Sequence, residues 1–274
     1  MTTIIVATDF SPAALNAVRY ATDMAVAINA KILLLHIHQV SVIYGEIPVA
    51  FNEEAERQEA EIEIVRIKDE MIRKTDGHLS IETEVRLGEF FDELTIVSEF
   101  IKPYTVVMGS QGTTATERLL FGGHTVHAMK HLTWPLITVP ATAHFTCIKN
   151  IGLACDFDDL TNNTPVQQIK LLIKDFTATL HVLNTGKQKD FNPDIVFESG
   201  LLNELLQPVA PNYHFVTKEN IDEGIIDFTE KNNIDLLIVL PKRHALLDKL
   251  LHKSITKQMV LHSHVPVMAL HNSN

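Results

Sequence analysis

The chain has 274 residues, 46% of them hydrophobic and 21% charged, the proportions of an ordinary soluble globule that forms one large domain or two smaller ones. Its net charge of -11 excludes a general nucleic-acid surface, which needs clustered Lys and Arg to neutralise phosphates. No apolar run approaches the roughly 20 residues that cross a bilayer, so no membrane partner is expected. With Cys147 and Cys155 as the only cysteines, disulfides do not organise the fold. The start, "MTTIIVATDFS", shows neither a basic leader nor a small-residue cleavage site, so no signal peptide is expected and the expected compartment is a reducing cytoplasm.

Taken in chain order, Ile4, Ile5 and Val6 read as a buried strand. Ser11 then caps a helix that opens on Pro12 and carries Leu15, Val18, Ala21, Ala25 and Ile28 at helical spacing. "KILLLHIH" (31–38) is a continuous apolar strand suited to a sheet covered on both faces. An acidic helix follows from about Glu53 to Lys74, with Ile64, Ile67 and Met71 on one stripe. "IETEV" (81–85) is a third strand, "EFFDELTIVSEFIK" (89–102) a third helix, and "TVVM" (105–108) a fourth strand. A glycine-spaced segment then opens a helix at "HTVHAMKHL", and "LITV" (136–139) is a fifth strand. Alternation of this kind predicts right-handed βαβ units around a parallel sheet.

The second half repeats the first. "LACDF" (153–157) matches "VATDF" (6–10), and "ATLHVLN" (178–184) matches "LLLHIHQ" (33–39). "NIDLLIVLP" (233–241) stands for "KPYTVVMG" (102–109), and "HVPVMAL" (264–270) for "TWPLITV" (133–139). The predicted architecture is therefore two copies of one open, five-stranded, Rossmann-like α/β domain with helices on both faces, over residues 1–143 and 148–274. The halves are expected to pack together.

The candidate site lies in "MGSQGTTATERLLFGGHTVHAMKHL" (108–132). Ligands of open parallel sheets bind beyond the carboxyl ends of the strands. Gly109 and Gly112 allow a turn and a close backbone approach there. Gly122 and Gly123 precede a helix whose free N–H groups face an incoming anion, and Thr125 adds a hydroxyl. Such a device holds phosphate without net positive charge. The other phosphate fingerprints, G-x-x-x-x-G-K-[ST] and a G-x-G-x-x-G after the first strand, do not occur.

Gly109, Gly112 and Gly122 match G-x2-G-x9-G-[ST], and with "TDFS" and "LLHI" the whole chain resembles the universal stress proteins in their tandem form. The resemblance implies that Asp9, with Thr8 beside it, helps hold an adenosine, and that the backbone of Ile37 meets the adenine. It also implies that Gly109, Gly112, Gly122, Gly123 and Thr125 hold ribose and phosphates. The implied cofactor is ATP, with or without Mg. Gly123 departs from the motif's Ser or Thr and removes one hydroxyl donor, which weakens binding by roughly 0.5–1.5 kcal/mol. A protonated His124 would favour a phosphate. Family members pair through the last strand, so an intramolecular pseudo-dimer is implied, alongside the option of a homodimer.

In the second half Pro241, which cannot donate a backbone N–H, stands where Gly109 would be, and no glycine follows Gly224. That half is read as a structural or regulatory copy. Asp156 there reads as a helix cap, and Lys249, Lys253 and Lys257 as a solvated helix face. His124, His127 and His131 share one helix face, but no local acid or Cys completes a metal site, and none is assigned. Nor is a catalytic residue assigned. Three functions stay open: a nucleotide-binding stress-response regulator with an unknown protein partner, a slow ATPase, and a nucleotide-free interaction protein.

Overall fold

The structure, a computed structural model, describes residues 2–39, 53–110, 122–155, 164–184, 193–215, 220–241 and 255–271. Strand β1 (Thr3–Ala7) leads into helix α1 (Pro12–Ala27), followed by β2 (Lys31–His38), α2 (Glu53–Lys74) and β3 (Ile81–Leu87). Next come α3 (Phe90–Ile101), β4 (Thr105–Gly109), α4 (Gly122–His131) and β5 (Leu136–Val139). The second half runs β6 (Asn150–Cys155), α5 (Val166–Phe176), β7 (Thr179–Asn184), α6 (Pro193–Leu206) and β8 (Asn212–Phe215). It closes with α7 (Ile221–Lys231), β9 (Leu236–Val239), α8 (Ile255–His262) and β10 (Val267–Ala269).

Local chemistry sets the ends of these elements. The Ser11 hydroxyl accepts from the Ala14 N–H at 3.2 Å and Pro12 opens α1, as its sequence predicts. Glu89 caps α3 by accepting from the N–H groups of Phe91 and Asp92 at 2.7 and 3.0 Å. Strand β3 runs two residues beyond its predicted end. The parallel ladder with β2 continues to the His38–Leu87 pair, which a hydrophobic pattern does not reveal on an edge strand.

All ten strands form one sheet, in the order β3-β2-β1-β4-β5-β10-β9-β6-β7-β8. Each half contributes the same parallel order, and the halves meet where β5 and β10 pair antiparallel, Ile137 opposite Met268. The expected pseudo-dimer is thus internal to the chain. On one face Ile4, Val6, Leu34, Ile151 and Ile238 pack beneath α1, α2, α5 and α6. On the other, Ile5, Leu35, Val106 and Leu237 pack beneath α3, α4, α7 and α8. Burying each such side chain contributes roughly 1.5–3 kcal/mol, and both cores run unbroken across the seam. The outer side of α2 carries ion pairs such as Arg57–Glu61 and Arg66–Glu63 while Ile64, Ile67 and Met71 face inward.

The connection between halves is fastened rather than loose. Asn16 on α1 donates through Nδ2 to the carbonyls of Pro140 and Ala143, both at 2.9 Å. Asp235 accepts from the N–H groups of Lys149 and Asn150 at 2.8 Å, fixing the entry to β6.

Candidate functional site

Strand order reverses between β1 and β4, the switch point beyond whose strand ends open α/β sheets bind their ligands. Most predicted site residues gather at this end. β1 leaves the sheet after Thr8, whose N–H donates to the Leu35 carbonyl at 2.9 Å. Thr8 is buried and its Oγ1 accepts from the Phe10 N–H at 3.1 Å. Asp9 is exposed, and its Oδ1 accepts from the Ser11 N–H at 3.0 Å. Phe10 takes the left-handed conformation, φ 64, that folds the turn back over β2.

Ile37 has its side chain buried on the α3/α4 face, and its β1-facing edge lies past the last β1–β2 pair, Ala7 with Leu35. His36, one residue earlier, is on the opposite face. Its Nδ1 lies 2.8 Å from the Thr8 carbonyl, and its ring stacks on Phe10 with centroids 4.4 Å apart. Burial lowers the His36 pKa below the ordinary imidazole range, with the Thr8 carbonyl opposing that trend. His38 on the same face pairs with Glu56 of α2 at 2.8 Å.

Gly109 ends β4, and packing explains its identity better than turn geometry does. A Cβ there would sit 2.7 Å from the Ala13 backbone and 2.9 Å from the Ala14 nitrogen. Only a glycine lets the end of β4 touch the first turn of α1. Gly112 lies outside the described residues. Gly122 and Gly123 open α4 as expected. Thr125 is buried and its hydroxyl donates to the Gly109 carbonyl at 3.4 Å, tying α4 to β4 instead of pointing its proton at a ligand. His124 packs edge-on to Phe90 and lies 3.5 Å from the Gln39 amide nitrogen. His127 and His131 stand side by side, ring centroids 4.4 Å apart, against Phe91. Among the described residues no three His, Cys, Asp or Glu gather to hold a metal.

The second half differs at this end, and strand register corrects two equivalences drawn from its letters. Ile4 pairs with Thr105 and Ile151 with Leu236, which puts Leu240, not Pro241, at the position of Gly109. Pro241 instead matches Ser110, whose N–H donates to the Val139 carbonyl at 2.9 Å. Ala7 pairs with Leu35 and Ala154 with Leu183, so the counterpart of His36 is Asn184, not His181. His181 falls on the opposite face, where its Nδ1 lies 3.1 Å from Nε2 of His214. The first described helix after β6 is α5, which starts at Val166 without a side-chain cap; residues 156–163, which follow β6, lie outside the described residues. Asp156, Lys249 and Lys253 lie outside the described residues.

A doubly wound sheet with a second copy joined to it in one continuous ten-stranded sheet defines a tandem α/β protein. The Universal stress protein family model matches residues 1–140 and 148–271, and the chain belongs to that family. A universal stress protein from Archaeoglobus fulgidus aligns over 98% of this chain and 97% of its own, with TM-score 0.74 at 16% identity. A protein of unknown function from Pseudomonas aeruginosa aligns over 98% and 92%, with TM-score 0.60 at 11% identity. A family protein from Arabidopsis thaliana, solved with AMP bound, aligns over 51% of this chain and 92% of its own, with TM-score 0.37 at 23% identity. No curated protein sequence matches the chain. No described helix is long and apolar enough to cross a membrane.

Proposed function

We propose that the first half binds an adenine nucleotide, ATP with or without Mg, and that the second half is a nucleotide-free copy that completes the sheet and takes part in regulation. The observation that carries this reading is the contact of Gly109 with the backbone of Ala13 and Ala14. It draws the end of β4 onto the start of α1, beside the exposed Asp9 carboxylate. In this reading Asp9 and Thr8 hold the ribose side, the backbone of Ile37 meets the adenine, and Gly109, Gly112, Gly122, Gly123, His124 and Thr125 surround the phosphates. Membership of a family in which one protein carries AMP supports it. Occupancy of such a site regulates only if two conformations or partner complexes differ in affinity for the nucleotide. The setting proposed is a cytoplasmic stress response acting through a protein partner.

A specific observation favours the alternative, a nucleotide-free interaction protein. The motif's hydroxyl is missing at Gly123, and the Thr125 proton is engaged with the Gly109 carbonyl. Calorimetric titration of ATP, together with mass spectrometry of small molecules released on denaturation, separates the two. Heat of binding and a co-purifying adenine nucleotide are expected. Their joint absence would leave the interaction protein standing.

A further inference from the structure

We propose that His36 is a positioning residue for the nucleotide site: its Nδ1–H holds the Thr8 carbonyl and so fixes the turn that presents Thr8 and Asp9. This rests on the nucleotide-binding reading for its functional consequence, though not for its geometry. A carbonyl oxygen only accepts, so the 2.8 Å contact requires the proton on Nδ1. That contact begins where the β1–β2 ladder has ended, after the Ala7–Leu35 pair and the Thr8 N–H bond to the Leu35 carbonyl. From there on, His36 takes over from the strand in tying β1 to β2.

The ring does a second thing. Phe10 adopts φ 64, a conformation that non-glycine residues rarely hold without support, and its ring lies on the His36 imidazole at an interplanar angle of 21°. The stack and the Nδ1 hydrogen bond thus brace both ends of the Thr8–Phe10 turn. Asp9 lies between them, its carboxylate turned to solvent and the Ser11 N–H. The His36 ring itself sits on the α1/α2 face, opposite the buried Ile37 side chain, so it works from behind the site without touching its ligand.

The second half supplies an independent argument. Asn184 is buried at the matching register position, opposite Cys155, which replaces Thr8. The Nδ2 amine of an Asn stands at the same bond distance from the backbone as Nδ1 of a His. An Asn in place of His36 therefore retains the donor, a Gln moves it outward, and a Leu removes it.

The test compares His36→Asn, His36→Gln and His36→Leu with the parent by ATP calorimetry and by amide exchange at Phe10 and Ser11. Loss of the brace is expected to weaken ATP binding by about tenfold in the Leu and Gln variants, the scale of one lost hydrogen bond. The Asn variant should stay within about threefold of the parent. A purely structural role would instead lower thermal stability across the three without this donor-dependent order. Binding by the Leu variant as tight as the parent, or an Asn variant as weak as Leu, would overturn the proposal. Should the parent bind no ATP at all, the nucleotide reading falls, and the exchange data with 15N spectra of His36 decide the positioning claim alone. Protonation at Nδ1, with faster Phe10 and Ser11 exchange in the Leu and Gln variants but not in the Asn variant, supports it; protonation at Nε2 or unchanged exchange overturns it.

Discussion

The two halves share strand order, register and both layers of core, yet they differ at the one sheet end where a ligand would sit. In the first, Gly109 lies against the start of α1, Thr8 is held by His36, and Asp9 faces solvent. In the second, Leu240, Cys155 and Asn184 occupy the corresponding positions. The strand interiors that hold the sheet agree between the halves, and the differences fall at a few positions at the strand ends. The two copies agree in the first set and differ in the second.

The largest effect should come from the seam that makes the halves one body. Ile137 and Met268 are register partners there and are essentially fully buried. Ile137→Ala and Met268→Ala should each cost about 2–5 kcal/mol by denaturant unfolding, and the double variant should be non-additive because the side chains touch the same core. One cooperative transition is expected in the parent; two separate transitions would break the comparison by making the halves independent.

Gly109→Ala comes next. A Cβ forced against the Ala13 backbone should destabilise the chain by about 1–3 kcal/mol and loosen ATP binding with it. The mirror change, Leu240→Ala, should leave ATP binding where it is, as read by the same titration.

Acid should act more weakly, in the second half through a histidine pair. Burial lowers the pKa of both His181 and His214, and the His214 ring further disfavours protonation of His181. The unfolded chain then binds protons more readily, so the stability contributed by the neutral pair is present above about pH 6.5 and is lost as pH falls below it. His214→Phe should flatten that part of the pH dependence of thermal unfolding. Smallest in stability is Asp9→Asn, which keeps the acceptor for Ser11 and should shift unfolding by no more than about 0.5 kcal/mol, while weakening ATP binding measurably.

Much of the fold was legible in the chain. The Ser11-Pro12 start, the stripes of α1 and α2, and the apolar strands all follow from periodicity and capping, because burial on both faces leaves those patterns clean. Periodicity does not single out β8 or α6: "NYHF" is a short edge strand with little apolar signal. Two equivalences slipped because apolar strands look alike at several offsets. Matching by letter sets His36 against His181, a displacement of three that turns the side chain to the other face, and hydrogen-bond register alone shows it. The site was legible in its glycines and Asp9, but the reason for Gly109 was not, since its contact lies on α1, nearly a hundred residues earlier in the chain. Nor was His36 as a brace, which needs Thr8 and Phe10 to be seen around it.

Stoichiometry tests the central asymmetry most directly. Titration of the intact chain with ATP should show one site per chain, lost in Asp9→Asn or strongly weakened there. Two equivalent sites, or one that ignores Asp9 and fails when Leu240 is changed, would contradict the assignment of the ligand end to the first half.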